Sequence, residues 1–233
     1  MTPQHIAVVL DGYGPWAAAH GEPESEAYRR SFTKQVDVAA WCHAEGVAEV
    51  TLYVPAPPGP GLDEEWTASL WRRVIDGIRH PRSGTGEVTL RHVGDLSRLP
   101  DRLAKELSES RFDTRSVPGR FGVNLVLGYE GRAEIVQAVR AMLHTAQEEG
   151  EDLGKIASRL DSERLGAHLP SAALPPVDLV IRTSGSRRPA GVLPWHAAYA
   201  EFHFAGVPAP DFTREHLLAA LGAYAHRHRR FGK

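Results

Sequence analysis

Asp11 is the first residue of this chain whose type and setting could do chemistry. It stands in Asp11-Gly12-Tyr13-Gly14, directly after the apolar run His5 to Leu10. Glycines just past a strand end let the backbone turn tightly and aim several amide N–H groups outward, which suits a diphosphate. A carboxylate there repels a diphosphate unless a cation lies between them. Mg²⁺ is the fitting cation, because it takes one or two carboxylates together with phosphate oxygens. The same residues also read as a plain turn closed by an Asx hydrogen bond. A second group is DLVIRTSGSRR, Asp178 to Arg188. An apolar run delivers Arg182, a hydroxyl-rich loop carries Ser184, and Arg187 and Arg188 follow. Guanidinium groups make paired bonds to phosphate oxygens, and hydroxyls add neutral donors; the alternative is a solvated basic loop. The third group is WHAAYAEFHF, Trp195 to Phe204, in which Glu201 lies among aromatic and small apolar residues. A carboxylate is costly in such a setting unless it is ion-paired or metal-bound. An arginine partner and a metal both remain open.

The elements that must position these residues alternate in kind. Short β-branched runs end in Gly, Pro or Asp at Ile6 to Leu10, Val50 to Val54, Val88 to Val93, Val123 to Leu127 and Leu179 to Ile181. Such runs read as strands of a buried parallel sheet. Between them, apolar residues at three- and four-residue spacing predict helices over Tyr28 to Glu45, Glu64 to Ile78, Arg98 to Ser110, Arg132 to Gln147 and Arg214 to Arg227. Strand–helix alternation predicts one α/β domain over residues 1–233, a mostly parallel sheet covered on both faces. Ligands of such sheets bind at the carboxyl ends of the strands, so the loops starting at Asp11, Pro55, Gly94, Gly128 and Arg182 matter most. Pro55 to Gly61 cannot form helix or ladder, and Glu148 to Pro176 is expected to hold one or two short surface helices.

Composition excludes several classes. With 27 Lys plus Arg against 29 Asp plus Glu, the formal net charge is -2, far from the basic excess that phosphate-backbone binding requires. The single cysteine, Cys42, rules out an internal disulfide and leaves no cysteine zinc site; it reads as a small buried hydrophobe on a helix. No GxSxG elbow, Walker A loop or full GxGxxG fingerprint occurs, and the twelve histidines match no metal spacing. Met1 to Leu10 lacks the form of a signal peptide, and no apolar run is long enough to span a bilayer, so a cytoplasmic protein is expected.

Taken together, the blocks resemble the cis-prenyltransferases, the family of undecaprenyl diphosphate synthase. HIAVVLDGYGPWAAAHG (His5 to Gly21) is similar to that family's strand and DGNGRWA signature. VTLRHVGDLSRLP (Val88 to Pro100) and VNLVLGYEGRAEIVQAVR (Val123 to Arg140) are similar to its middle blocks. DLVIRTSGSRRPAGVLPWHAAYAEFHF (Asp178 to Phe204) and RRFGK (Arg229 to Lys233) are similar to its C-terminal signatures. The resemblance implies a homodimer of six-stranded parallel sheets with a hydrophobic tunnel. There Mg²⁺ helps an allylic diphosphate ionise, and isopentenyl or dimethylallyl diphosphate serves as the other unit. It implies that Asp11 handles Mg²⁺, with Gly12, Tyr13, Gly14, Trp16 and Tyr28 around the first diphosphate. Arg182, Ser184 and Arg188 would hold the second diphosphate. Glu201 would be a metal ligand contributed across the dimer, and Arg230 with Gly232 would close a neighbour's site.

The departures from the family pattern cluster around the first diphosphate. Tyr13 and Pro15 replace the Asn and Arg of DGNGRW, Glu24 replaces an expected arginine, and Tyr28 and Ser31 replace a His and a Gly. Pro55 to Gly61 replaces an FSxENW loop, and Ala190 stands where a serine is expected near the second diphosphate. Losing one donor to developing charge costs roughly 10²–10³ in rate. Arg29 and Arg30 are the available compensating cations, their alternative being a solvated helix face, and Tyr13 could face a carbocation through its ring. The leading reading is a prenyl diphosphate synthase making short or irregular, lavandulyl-type products. Prenyl transfer or cyclisation on another acceptor, and a non-catalytic subunit paired with a homologue in a heterodimer, are the alternatives.

Overall fold

The computed structural model describes residues 2–55, 63–80, 87–110, 112, 113, 117 and 119–226. Six strands form one all-parallel sheet: β1 (His5–Val9), β2 (Glu49–Tyr53), β3 (Val88–Val93), β4 (Phe121–Val126), β5 (Leu179–Arg182) and β6 (Glu201–Phe204). Their spatial order is β3-β4-β2-β1-β5-β6. The helices are α1 (Tyr13–His20), α2 (Glu24–Ala44), α3 (Glu64–Arg79), α4 (Asp101–Glu109), α5 (Gly131–Glu148), α6 (Leu153–Ser158), α7 (Ser162–Ala167) and α8 (Arg214–Ala225). The parallel α/β domain expected from the alternating pattern is the observed one, and the short helices expected between residues 148 and 176 are α6 and α7. None of the described helices is long and apolar enough to cross a membrane.

Two elements escape the periodicity. The segment read as a turn at Asp11 to Gly14 runs straight into α1, because Pro15 falls in the first helical turn, where a missing N–H costs nothing. β6 is a four-residue edge strand, half-buried throughout, so its pattern carries no apolar alternation. The helix read from Tyr28 begins earlier, at Glu24, where Glu24 and Glu26 complement the positive end of the helix dipole.

Alternation along the strands splits the sheet into two faces. Ile6, Val8, Leu10, Val50, Leu52, Val123, Leu125, Leu179 and Ile181 meet α2, α3, α4 and α8 in the larger core, where Phe32, Trp71, Leu103 and Leu217 fill the space between layers. Ala7, Val9, Val93, Val126 and Val180 meet Leu174, Val177, Val192, Leu193 and Ala197 on the other face.

The amino half of this second face is polar. Arg91 on β3 donates to Glu49 on β2 at 2.5 Å and to the Asn124 amide oxygen on β4 at 2.8 Å. Asn124 donates onward to Glu49 at 2.8 Å and to the Thr51 hydroxyl at 3.1 Å. His5 accepts from or donates to that hydroxyl at 2.8 Å and bonds the Pro175 carbonyl, also at 2.8 Å. Gly122 makes room for the cross-strand pair, since a Cβ there would lie 2.9 Å from the Glu49 carboxylate and 3.0 Å from the Arg91 guanidinium. Both ions are almost fully buried. Removing one partner leaves the other as an uncompensated charge, so Arg91→Met should cost about 3–5 kcal/mol in urea unfolding. A loss under about 1 kcal/mol would show the pair to be dispensable.

Candidate active site

β1 and β5 are neighbours, with Val9 in register with Arg182, so Asp11 and Arg182 emerge side by side. The chain passes from β1 to β2 on one side and returns to β5 on the other, making the carboxyl ends of β1 and β5 the switch point of the sheet. Arg182 Nη2 donates to Asp11 Oδ2 at 2.7 Å, and the Gly12 amide donates to Asp11 Oδ1 at 2.7 Å. Thr183 ties the strands together: its hydroxyl accepts from the Asp11 amide and donates to the Asp11 carbonyl, each at 2.7 Å. Arg182 Nη1 donates to the Arg188 carbonyl. Arg182 Nε–H is buried and has no partner among the described residues. Asp11, Tyr53, Pro55, Arg182, Arg188, Pro189 and Ala190 enclose a cavity of about 330 Å³, a volume at the lower end of ligand sites.

Gly12 is fixed by close approach. Its φ is +95°, and a Cβ would lie 2.7 Å from Ser184 Cβ and 3.2 Å from Pro208 Cα. Ser184 itself sits at φ 75, held there by its amide, which donates to the Val207 carbonyl at 2.7 Å. The Ala209 amide donates to the Asp11 carbonyl at 2.9 Å. Ser184 therefore backs the Asp11–Gly12 turn through its packing. α1 starts immediately afterwards, which sets the positive end of its dipole, with Tyr13 and Gly14 in its first turn, beside Asp11. Trp16 anchors this helix. Its indole N–H donates to Asp211 at 2.9 Å, its ring stacks on His20 at 4.2 Å, and the Arg30 guanidinium covers it at 5.1 Å. What Trp16 gives the site is the position of α1.

The opposite wall is aromatic. Tyr13 meets Tyr28 edge-on at 5.3 Å, and Tyr28 meets Phe32 at 5.5 Å and Trp66 at 6.2 Å. Burial first, then the Asp11 and Glu24 carboxylates and Tyr53, pushes the Tyr13 phenol up to about 12. Burial likewise raises Tyr28 and Tyr53. These phenols stay protonated at neutral pH and can only be neutral neighbours of a phosphate. Of the two candidate replacement cations, Arg29 is bound by both nitrogens to Glu26, at 2.7 Å and 2.6 Å. Arg30 shares the same carboxylate at 2.8 Å and lies over Trp16.

Other expected residues stand elsewhere. Leu179 pairs with Glu201 and Arg182 with Phe204, so Glu201 lies at the amino end of β6, about 10 Å below the level of Arg182. Within one chain it does not join Asp11. Arg230 and Gly232 lie outside the described residues, as does all of the proline-rich loop except Pro55. His5 belongs to the buried network at the far end of the sheet. Cys42 is buried in α2, and burial pushes its thiol up to about 12, as expected of an inert core residue. The sequence reading missed Tyr53 and Thr183. Only the parallel pairing of β1 with β2 and β5 brings them to Asp11, and no motif carries that pairing.

No group of three or more His, Cys, Asp or Glu that could hold a metal occurs among the described residues. The donor set fits a cation carried in with a diphosphate: Asp11 would supply one carboxylate to a Mg²⁺ ion that takes phosphate oxygens as its other ligands. A buried guanidinium with an unused N–H beside that carboxylate fits the anion.

A family profile described as putative undecaprenyl diphosphate synthase matches residues 9–232. Isoprenyl transferase 1 of Streptomyces avermitilis is 36% identical over 230 residues, covering 99% of this chain and 89% of the relative. The (2Z,6E)-farnesyl diphosphate synthase of Mycolicibacterium smegmatis is 34% identical over 232 residues, covering 99% and 88%. The fold matches lavandulyl diphosphate synthase from Lavandula x intermedia in complex with dimethylallyl diphosphate, with a TM-score of 0.84 at 24% identity over 100% of this chain and 99% of the other. With the profile spanning nearly the whole chain and relatives above 30% identity end to end, the protein belongs to the undecaprenyl diphosphate synthase family of isoprenyl transferases.

Proposed function

We propose that the protein is a prenyltransferase that ionises an allylic diphosphate with the help of Mg²⁺ and joins the resulting cation to a second isoprenoid unit, giving a short or irregular, lavandulyl-type product. One observation carries the reading: the Asp11–Arg182 pair lies at the sheet's switch point beside a cavity shared with Arg188, and among the described residues one buried N–H of Arg182 has no partner. Arg182 and Arg188 hold the diphosphate of the nucleophilic partner, isopentenyl or dimethylallyl diphosphate. Gly12, Gly14 and the amino end of α1 face the allylic diphosphate, and Asp11 stands between the two. Bound there, Mg²⁺ would withdraw negative charge from the departing diphosphate. Tyr13 and Tyr28 offer ring faces to the allylic cation, a sequence-tolerant way to favour positive charge without phosphate donors.

The reading includes a cytoplasmic homodimer. Val136, Val139 and Leu143 are all exposed on one stripe of α5, and Tyr199 is exposed just before the edge strand β6. A second copy would cover this apolar face and bring its Glu201 to the metal, with Arg230 and Gly232 closing the neighbour's site.

Purified protein incubated with Mg²⁺, C5 to C15 allylic diphosphates and isopentenyl diphosphate should yield a short prenyl diphosphate that disappears with Asp11→Ala. Turnover surviving that change, or arising only after a second homologue is added, would contradict a self-sufficient enzyme using this site. The first diphosphate site can be probed separately. Tyr13→Asn with Pro15→Arg restores the donor types of the family pattern and should tighten calorimetric binding of an allylic diphosphate about tenfold or more, the scale of one charge-assisted bond. Unchanged affinity would mean that this pocket is not short of donors.

A further inference from the structure

The loop that carries Arg188 is held at both ends. At one end the Arg188 carbonyl takes an N–H of Arg182, and Arg188, Pro189 and Ala190 border the cavity beside Asp11. Arg188 is exposed, so its direction is set by the backbone that carries it rather than by packing of its side chain. At the other end the chain turns down onto the second face of the sheet, where Val192 and Leu193 are buried with Val9, Val93 and Val126. Leu193 makes this turn at φ 45, in the left-handed region that a bulky side chain seldom adopts. Such a residue persists only where its surroundings fix it. The Leu193 carbonyl accepts from the Ala197 amide at 2.8 Å, and the Leu193 amide donates to the phenol oxygen of Tyr129.

Tyr129 belongs to another part of the sheet. It follows β4, and both β2 and β1 lie between β4 and β5. Its hydroxyl donates to Glu134 Oε2 at 2.6 Å. Glu134 is buried in the first turn of α5, and its Oε1 has no hydrogen-bond partner among the described residues. Burial and then the Glu134 carboxylate raise the Tyr129 phenol above its ordinary value, so it stays the donor of that bond. Gly131, the first residue of α5, lies against the same loop: a Cβ there would overlap the Gly191 carbonyl and stand 2.8 Å from Pro194 Cδ. The start of α5 thus meets the Arg188 loop in two ways, through a hydrogen bond and through close backbone approach.

We infer that Tyr129, backed by Glu134 and Gly131, is a positioning residue for Arg188: it pins the strained turn at Leu193 and so sets where the Arg188 guanidinium meets a diphosphate. The inference rests on the proposed role of Arg182 and Arg188 in holding the diphosphate of the nucleophilic partner. Tyr129 and Glu134 border a different cavity, of about 470 Å³, which Gly94 and Gly128 at the carboxyl ends of β3 and β4 also line. Their effect on the diphosphate therefore passes through the loop backbone. With the Tyr129 oxygen gone, the Leu193 amide loses its acceptor, and the strained turn is free to relax and carry Arg188 with it.

The test is calorimetric titration with isopentenyl diphosphate, Mg²⁺ present and no allylic partner, so that nothing is consumed. Arg188→Gln should weaken binding about tenfold, the scale of one charge-assisted hydrogen bond. Tyr129→Phe removes one oxygen outside the diphosphate cavity and should weaken binding by a similar factor. The double variant should bind no more weakly than Arg188→Gln alone, because both changes act on one contact. Glu134→Leu, which takes the acceptor away, should behave as Tyr129→Phe does, and Glu134→Gln, which keeps one, should recover the affinity. Gly131→Ala pushes on the Gly191 carbonyl without removing a hydrogen-bonding group. It should weaken binding in the same direction, which covers the case in which Tyr129→Phe does not fold; thermal melts verify folding. Losses from Tyr129→Phe and Arg188→Gln that add in full, equal losses in Glu134→Leu and Glu134→Gln, or unchanged binding in Tyr129→Phe and Gly131→Ala would overturn the positioning role while leaving the diphosphate site standing. Unchanged binding in Arg188→Gln would overturn the site reading itself, and the positioning role with it.

Discussion

An ion pair between two adjacent strand tips organises this protein's chemistry. Asp11 and Arg182 neutralise each other at 2.7 Å, with Arg182 only 13% exposed, so the pair carries no net charge while holding groups suited to a cation and to an anion. Everything around the pair fixes it in place. Thr183 bridges the two strand ends, Gly12 admits Ser184 against the turn, and the Arg188 carbonyl takes a second guanidinium N–H. A ligand of one sign alone competes with the pair for Arg182 Nη2 or for the Asp11 carboxylate. A divalent cation arriving together with a diphosphate would replace both halves at once. Binding of the two would then be coupled through a single broken contact, a free-energy linkage that needs no movement of the fold.

The allylic side follows a different logic. Where family members place cationic and amide donors, this chain places the buried phenols of Tyr13 and Tyr28 and the Glu24 carboxylate. The balance shifts from holding a leaving anion to facing a cation with ring faces. The relevant energies differ in kind: donors aimed at developing negative charge act at the departing oxygen, while aromatic faces act at the carbon left behind. With Arg29 and Arg30 both committed to Glu26, the positive charge that the fold itself sets beside Asp11 is that of the α1 dipole. The aromatic wall continues from Tyr28 into Phe32 and Trp71.

Much of this was legible in the sequence. Buried strands announce themselves as short β-branched runs, and their carboxyl ends point to Asp11 and Arg182. Elements placed by tertiary contact were not legible. α1 begins inside what reads as a turn, because its first-turn proline gives no helical signal. β6 is an edge strand without alternation. Tyr53 and Thr183 reach the site only through the order β2-β1-β5, which periodicity cannot supply. The Arg91–Glu49–Asn124 network was equally hidden, since its members are spread over three strands and each looks like an ordinary surface residue on its own.

The exchange of partners at Asp11 and Arg182 is tested most directly by titrating inorganic pyrophosphate into the unaltered protein and into Asp11→Asn, without and with Mg²⁺. Without metal, Asp11→Asn should bind pyrophosphate more tightly, because Arg182 is released and a repelling carboxylate is gone. With Mg²⁺ the order should reverse. Weaker or unchanged metal-free binding by Asp11→Asn would contradict the account, since it would mean that the carboxylate does not hold Arg182 away from the anion.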